Sequence, residues 1–182
     1  MKFVTRRLVI RDITQKDAPA IVLQANNLKV TRNPCIVPYP YTVKDAQRFI
    51  RNCIKQARAK NRKSYEFAVE IKKSKEVAGL IGITDLNSFS QTASIGYLLG
   101  EKHWRKGIMS EALEAMIKFA FRRLNLKRLQ AEVFFENKAS VELLKKFAFK
   151  KEGLRRQAVR AKSTGKWHDV WIYGLLKSDI KR

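Results

Sequence analysis

The rhythm of apolar and polar positions changes several times along this chain, and each change marks an element. Residues 6–14, "RRLVIRDIT", alternate in the manner of a strand. Residues 14–27, "TQKDAPAIVLQANN", switch to helical spacing behind Thr14, with Asp17 three positions on as in a capping box. "NPCIVPYPY" holds three prolines within seven residues and is predicted to be a semi-rigid loop. "TVKDAQRFIRNCIKQARAKNRK" repeats the cap pattern with Thr42 and Asp45. It places Ala46, Ile50, Cys53 and Ala57 on one helical face, widened by Phe49 and Ile54. Lys44, Arg48, Arg51, Lys55, Arg58 and Arg62 recur at steps of three and four on the other face.

Three strand-like segments follow with hairpin-length gaps: "SYEFAVEIK", "EVAGLIGITDL" and "TASIGYLLG". They predict an antiparallel meander. Then come a helix ("SEALEAMIKFAFRRL"), a strand ("RLQAEVFF") and a helix ("ASVELLKKFAF"), and residues 151–179 read as two strands around a turn at Gly165. A strand, loop, helix and strand in succession predict a βαβ crossover grafted on an antiparallel sheet, an α+β (α/β) chain. With no internal repeat, low-complexity tract or linker, residues 1–182 read as one domain.

Charge changes this picture. Lys and Arg number 39 against 16 Asp and Glu, a formal +23. Such a field favours polyanions and acidic protein surfaces as partners; a Lys-rich composition or heat adaptation would produce it equally. Cys35 and Cys53 are too few for a disulfide framework, and no CxxC or Cys/His cluster suggests zinc. With His103 and His168 alone, no metal is expected. The N-terminal apolar run is broken by charges and no run approaches the roughly 18 residues of a membrane span. The chain reads as cytoplasmic, a monomer or homodimer, with no membrane partner.

The candidate chemistry lies in "HWRKGIMSEAL", between a strand and a helix. The first turn of a helix leaves N–H groups unpaired and carries a partial positive charge, so phosphates bind there. Gly107 would let a ligand approach the backbone, Arg105 and Lys106 add charge, and Ser110 could cap the helix as well as touch a phosphate. Neither a Walker A loop nor a dinucleotide fingerprint is present.

"YLLGEKHWRKGIMSEAL" resembles the acetyl-coenzyme A loop of the GNAT N-acetyltransferase superfamily, pattern [Q/R]-x-x-G-x-[G/A], with Trp104 and Met109 at its two ends. The form "W-x-K-G-x-x-x-E-A" is similar to the RimJ/RimL branch, which acetylates protein N-termini. "PYPYTVKDAQRFI", "ENKAS", "LLKKFAFKKEG" (Ala148 replacing a usual Gly) and "KWHDVWIYGLL" extend the likeness over about residues 3 to 179. The resemblance implies a mixed, mostly antiparallel sheet with a splayed parallel strand pair and flanking helices. It implies acetyl-coenzyme A as co-substrate, its pyrophosphate held by backbone N–H groups of the loop Arg105, Lys106, Gly107, Ile108, Met109 and Ser110, with Trp104 also on the cofactor-binding side. Tyr97, Leu98 and Leu99 would present strand-edge groups to its arm, with Gly96 and Gly100 permitting a bulge. Ser140 is the implied acid for the leaving thiolate, Asn137 binds the cofactor and orients that turn, and Tyr173 is an alternative acid.

The base stays open between Asp85 and Glu132; for Glu132 a salt bridge on an exposed sheet face is the more ordinary explanation. A terminal α-amine, with pKa about 7.7–8.0 against about 10.4 for lysine, is neutral at pH 7 roughly 400 times more often and needs only a weak base. The branch and the charge suggest an acidic or ribosome-associated protein N-terminus as acceptor, with the face from Lys44 to Arg62 contacting protein or RNA. A small-molecule amine acetyltransferase and a basic nucleic-acid-binding module without catalysis are the alternatives.

Overall fold

The computed structural model describes residues 1–33 and 36–180. Pro34 and Cys35, in the predicted proline-rich loop, lie outside the described residues. The strands are β1 (Lys2–Val4), β2 (Leu8–Asp12), β3 (Tyr65–Ile71), β4 (Val77–Asn87), β5 (Thr92–Leu99), β6 (Arg128–Phe134), β7 (Lys150–Arg160) and β8 (Trp167–Leu176). They form one sheet in the order β1-β2-β3-β4-β5-β6-β8-β7. Every pairing is antiparallel except β5 with β6, which the crossover helix makes parallel. This is the mixed sheet with one parallel pair that the sequence predicts.

Alternation along the strands sorts the core into two layers. Ile81, Ile83 and Ile95 point to one face, where they meet Leu113 and Met116 of α4 (Ile108–Arg122) and Leu144 of α5 (Lys138–Lys146). Ala68, Leu80 and Leu98 point to the other, under α1 (Ala18–Ala25) and α3 (Val43–Arg58). A short α2 (Leu28–Thr31) follows α1.

Several expectations are corrected here. β1 is an extra edge strand; three residues are too short to show a period. The first helix starts late: Thr14 donates its N–H and hydroxyl to Asp17, closing a 3-10 turn, and α1 begins behind it with Pro19 in its first turn. The second helix stops at Arg58, with Ala57 exposed rather than on the apolar face. Arg62 therefore leaves the basic stripe. It turns inward, stacks 4.0 Å from the Tyr65 ring centroid and donates to Ser64 O.

Candidate active site

β5 and β6 pair only from Thr92–Arg128 to Ser94–Gln130, so β5 beyond Ser94 has no strand on that side. Gly100 N donates to Ala78 O at 2.9 Å. Antiparallel alternation then points the backbone groups of Leu98 at β4 and those of Tyr97 and Leu99 into the gap. Of the three predicted edge residues, two present backbone to it. Leu98 instead lends its side chain to the core under α3. Pairing of β4 with β5 is regular from Gly79–Leu99 to Thr84–Ser94, so the expected bulge between Gly96 and Gly100 is absent. Gly100 serves packing: a Cβ there would lie 1.7 Å from Gln24 Oε1.

The loop at the mouth of the gap is pinned from both ends. Trp104 Nε1 donates to Leu99 O at 2.8 Å. Arg105 and Gly107 both adopt positive φ, 58° and 71°, and Gly107 is the N-cap of α4 without a side-chain bond. The cap is therefore Gly107 and not Ser110, which sits in the first turn. Ile108 and Met109 are buried, so they can offer a ligand only their N–H groups, while Arg105, Lys106 and Gly107 are exposed. Sequence reasoning missed the clamp behind this loop. Glu111 accepts from Thr5 Oγ1 (2.6 Å), Arg7 N (2.7 Å) and Arg7 Nε (2.6 Å), while Arg7 Nη1 donates to Lys106 O at 2.8 Å. Burial works to raise the Glu111 carboxyl, but these bonds hold it below the usual range.

Beneath the gap on the α5 side, the structure brings Tyr97, Asn137 and Ser140 together. Asn137 caps α5: its Oδ1 accepts from Ser140 N (3.2 Å) and its Nδ2 donates to Ser140 Oγ (3.0 Å). Both bonds agree on one amide orientation, and they leave the Ser140 proton free for another acceptor. The buried Tyr97 hydroxyl makes no well-formed hydrogen bond among the described residues. Burial pushes it up to about 12, with nearby Ser140 working the other way. An orphaned hydroxyl, an open strand edge and an uncapped helix start at one mouth fit the arm, thioester and pyrophosphate of acetyl-coenzyme A.

The face under α3 carries a different set. Glu66, Gly82 and Gly96 stand in one register row across β3, β4 and β5. Asp85 lies close by at a true bulge, φ 52°, exposed, with Thr84 Oγ1 donating to it at 3.1 Å. Of the two predicted bases, only Asp85 is near this row. Glu132 is exposed and paired with Arg155 at 3.1 Å, the salt bridge the sequence left open. Tyr173 is 2% exposed within the main core, away from this face. Glu66 was missed because nothing local distinguishes it from Glu70; its partner in register, Gly82, does.

A sheet parted between parallel neighbours, with an anion-ready helix start at its mouth and hydroxyls beneath, defines an acyltransferase that draws on a coenzyme A thioester. The model of the acetyltransferase (GNAT) domain matches residues 7–150, and the chain belongs to that family of acetyl-CoA-dependent N-acetyltransferases. Bacillus licheniformis has a relative described as "Uncharacterized N-acetyltransferase p20", 34% identical over 177 residues, with 96% of each chain covered. The [ribosomal protein uS5]-alanine N-acetyltransferase of Escherichia coli is 32% identical over 106 residues, 58% of this chain and 54% of that one. Among solved structures, the ribosomal L7/L12 α-N-protein acetyltransferase RimL in complex with coenzyme A superposes with a TM-score of 0.85 at 22% identity, covering 98% of each chain. Among the described residues no helix is long and apolar enough to cross a membrane.

Proposed function

We propose that this N-acetyltransferase acts on the α-amine of a protein N-terminus. The observation that carries the reading is the open floor above Gly96, which is exposed and would give a Cβ no neighbour within 4 Å. A chain end can reach the parted strands there, whereas the opposite face is filled by Tyr97, Asn137 and Ser140. The relatives that act on ribosomal proteins support the same acceptor class.

Acetyl-CoA supplies an activated thioester. The N–H groups of Ile108 to Ser110, with Arg105 and Lys106, hold its pyrophosphate. Tyr97 offers backbone N–H and C=O to its arm; the Leu99 carbonyl is already engaged by Trp104. Ser140, oriented by Asn137, donates its proton toward the departing sulfur.

Thiol release from acetyl-CoA, measured with peptides bearing free or blocked N-termini and with spermidine, tests this. Turnover confined to free N-termini is expected, falling about 100-fold in Ser140→Ala with little change in acetyl-CoA affinity. Turnover of spermidine alone would replace the acceptor by a small polyamine.

A further inference from the structure

We infer that Glu66 is the group that takes the acceptor's proton, its carboxylate lying over Gly82 and beside Asp85 as an anionic pocket for a single ammonium group. The inference rests on the proposed use of this face by the acceptor amine.

The chain has few carboxylates and uses nearly all of them. Every Asp and Glu except Glu66, Asp85 and Asp169 lies within ion-pair distance of a basic group among the described residues. Asp169 accepts from Gln157 N at 2.7 Å. The two that remain lie near enough to each other for the Asp85 charge to act on Glu66. In a protein of formal charge +23, two neighbouring carboxylates without an ion pair, faced by Arg62 alone among the cations, form a local sink for a further cation.

Gly82 makes the room. A Cβ built there would lie 2.0 Å from Glu66 Oε2 and 2.8 Å from Oε1, so the carboxylate occupies the space a side chain would fill. Gly96 is the next member of the row, about one strand spacing (~4.8 Å) further on. A nitrogen bonded to Glu66 on its β5 side therefore stands over Gly96, at the edge where the strands part. No side chain of the row intervenes.

The surroundings suit a base near neutrality. Burial pushes Glu66 up to about 7; Arg62 opposes this and Asp85 adds to it. The groups that face it are Asp85 from β4, Arg62 from the turn before β3, and Cys53 from α3, whose thiol burial and the Glu66 charge push to about 12. β2 presents Asp12, which pairs with the N-terminal amine and lies 3.7 Å from Arg62.

The steps balance without another reactant. The ammonium gives one proton to the Glu66 carboxylate, and the freed nitrogen pair forms the C–N bond to the acetyl carbon. The C–S bond then breaks and sulfur leaves with a proton from Ser140, which the nitrogen's second proton replaces. Glu66 returns its proton to solvent.

The test compares wild type, Glu66→Gln and Gly82→Ala at a series of pH values. The wild type should lose kcat as pH falls through about 7. Glu66→Gln should bind acetyl-CoA unchanged, turn over about 100-fold more slowly at pH 7, and recover as pH approaches the amine's own pKa. Gly82→Ala should displace the carboxylate and lose kcat with less loss of cofactor binding. Ligand-free Glu66→Gln should melt above wild type at pH 8 and level with it near pH 4, a readout independent of turnover. Equal kcat and an unchanged acid limb in Glu66→Gln, or identical melting at both pH values, would overturn the inference. Spermidine turnover that Glu66→Gln abolishes would retire the N-terminal acceptor while keeping Glu66 in its role.

Discussion

In the proposed reaction Ser140 and Glu66 handle the two ends of one proton budget from opposite faces of the sheet, and their burial differs in consequence. A carboxylate whose folded pKa is raised costs stability once ionised: the penalty is absent well below pH 4.5 and complete above about 7. Replacing Glu66 by Gln should therefore raise stability at pH 8 by at most about 3 kcal/mol, seen in denaturant melts. The proposed role of Glu66 thus opposes stability at a single side chain. Tyr97 behaves similarly on the other face. Its hydroxyl is buried without a well-formed bond, so Tyr97→Phe should be neutral or stabilising by up to about 1 kcal/mol in the ligand-free protein. If that hydroxyl meets the thioester or its arm, the same variant should bind acetyl-CoA more weakly by calorimetry.

At the scale of elements, the loop from Gly100 to Gly107 is held by residues far from it in sequence. Glu111→Ala would leave Arg7 and Thr5 without their acceptor, an expected cost of about 1–3 kcal/mol. It should also loosen the helix start proposed to hold the pyrophosphate, weakening acetyl-CoA binding about tenfold. Calorimetric titration with coenzyme A checks the second effect separately from the first. This clamp also marks where the sequence stopped being legible. The helix after Thr42 with its cap, the body of α4, the meander and the parallel crossover could all be read, because period is local; the start of α4 was not, since its N-cap is Gly107 without a side-chain bond. The loop between β5 and α4 could be singled out as well, through the family motif. Arg7 and Glu111 are 104 positions apart and no period links them. Glu66 became visible only when register set it opposite Gly82. Glu132 was misleading for the reverse reason: a carboxylate inside a strand is unremarkable once Arg155 stands beside it.

For the molecule as a whole, the basic stripe on α3 survives as Lys44, Arg48, Arg51, Lys55 and Arg58, all exposed, with Arg48 paired to Asp45 at 2.6 Å. If that face docks an acidic protein, reversing Arg51, Lys55 and Arg58 to Glu should raise KM for an acidic protein acceptor and flatten its salt dependence. Turnover of a short neutral peptide should not change, and kinetics at two ionic strengths distinguish the cases. The pairing of nearly every carboxylate has a consequence of its own, in acid. Asp17, Asp45, Glu76, Glu101, Glu111, Glu152 and Asp179 all sit below their ordinary values, each opposed by burial and held down by hydrogen bonds and neighbouring cations. Their stabilisation is complete above the unfolded carboxylate range and is lost as pH falls through the lower folded values. Protonating these seven together with the other nine Asp and Glu removes the internal counter-charge to 39 basic side chains. Such a chain should swell cooperatively in dilute acid and collapse again when sulfate or another multivalent anion takes the place of the carboxylates it has lost.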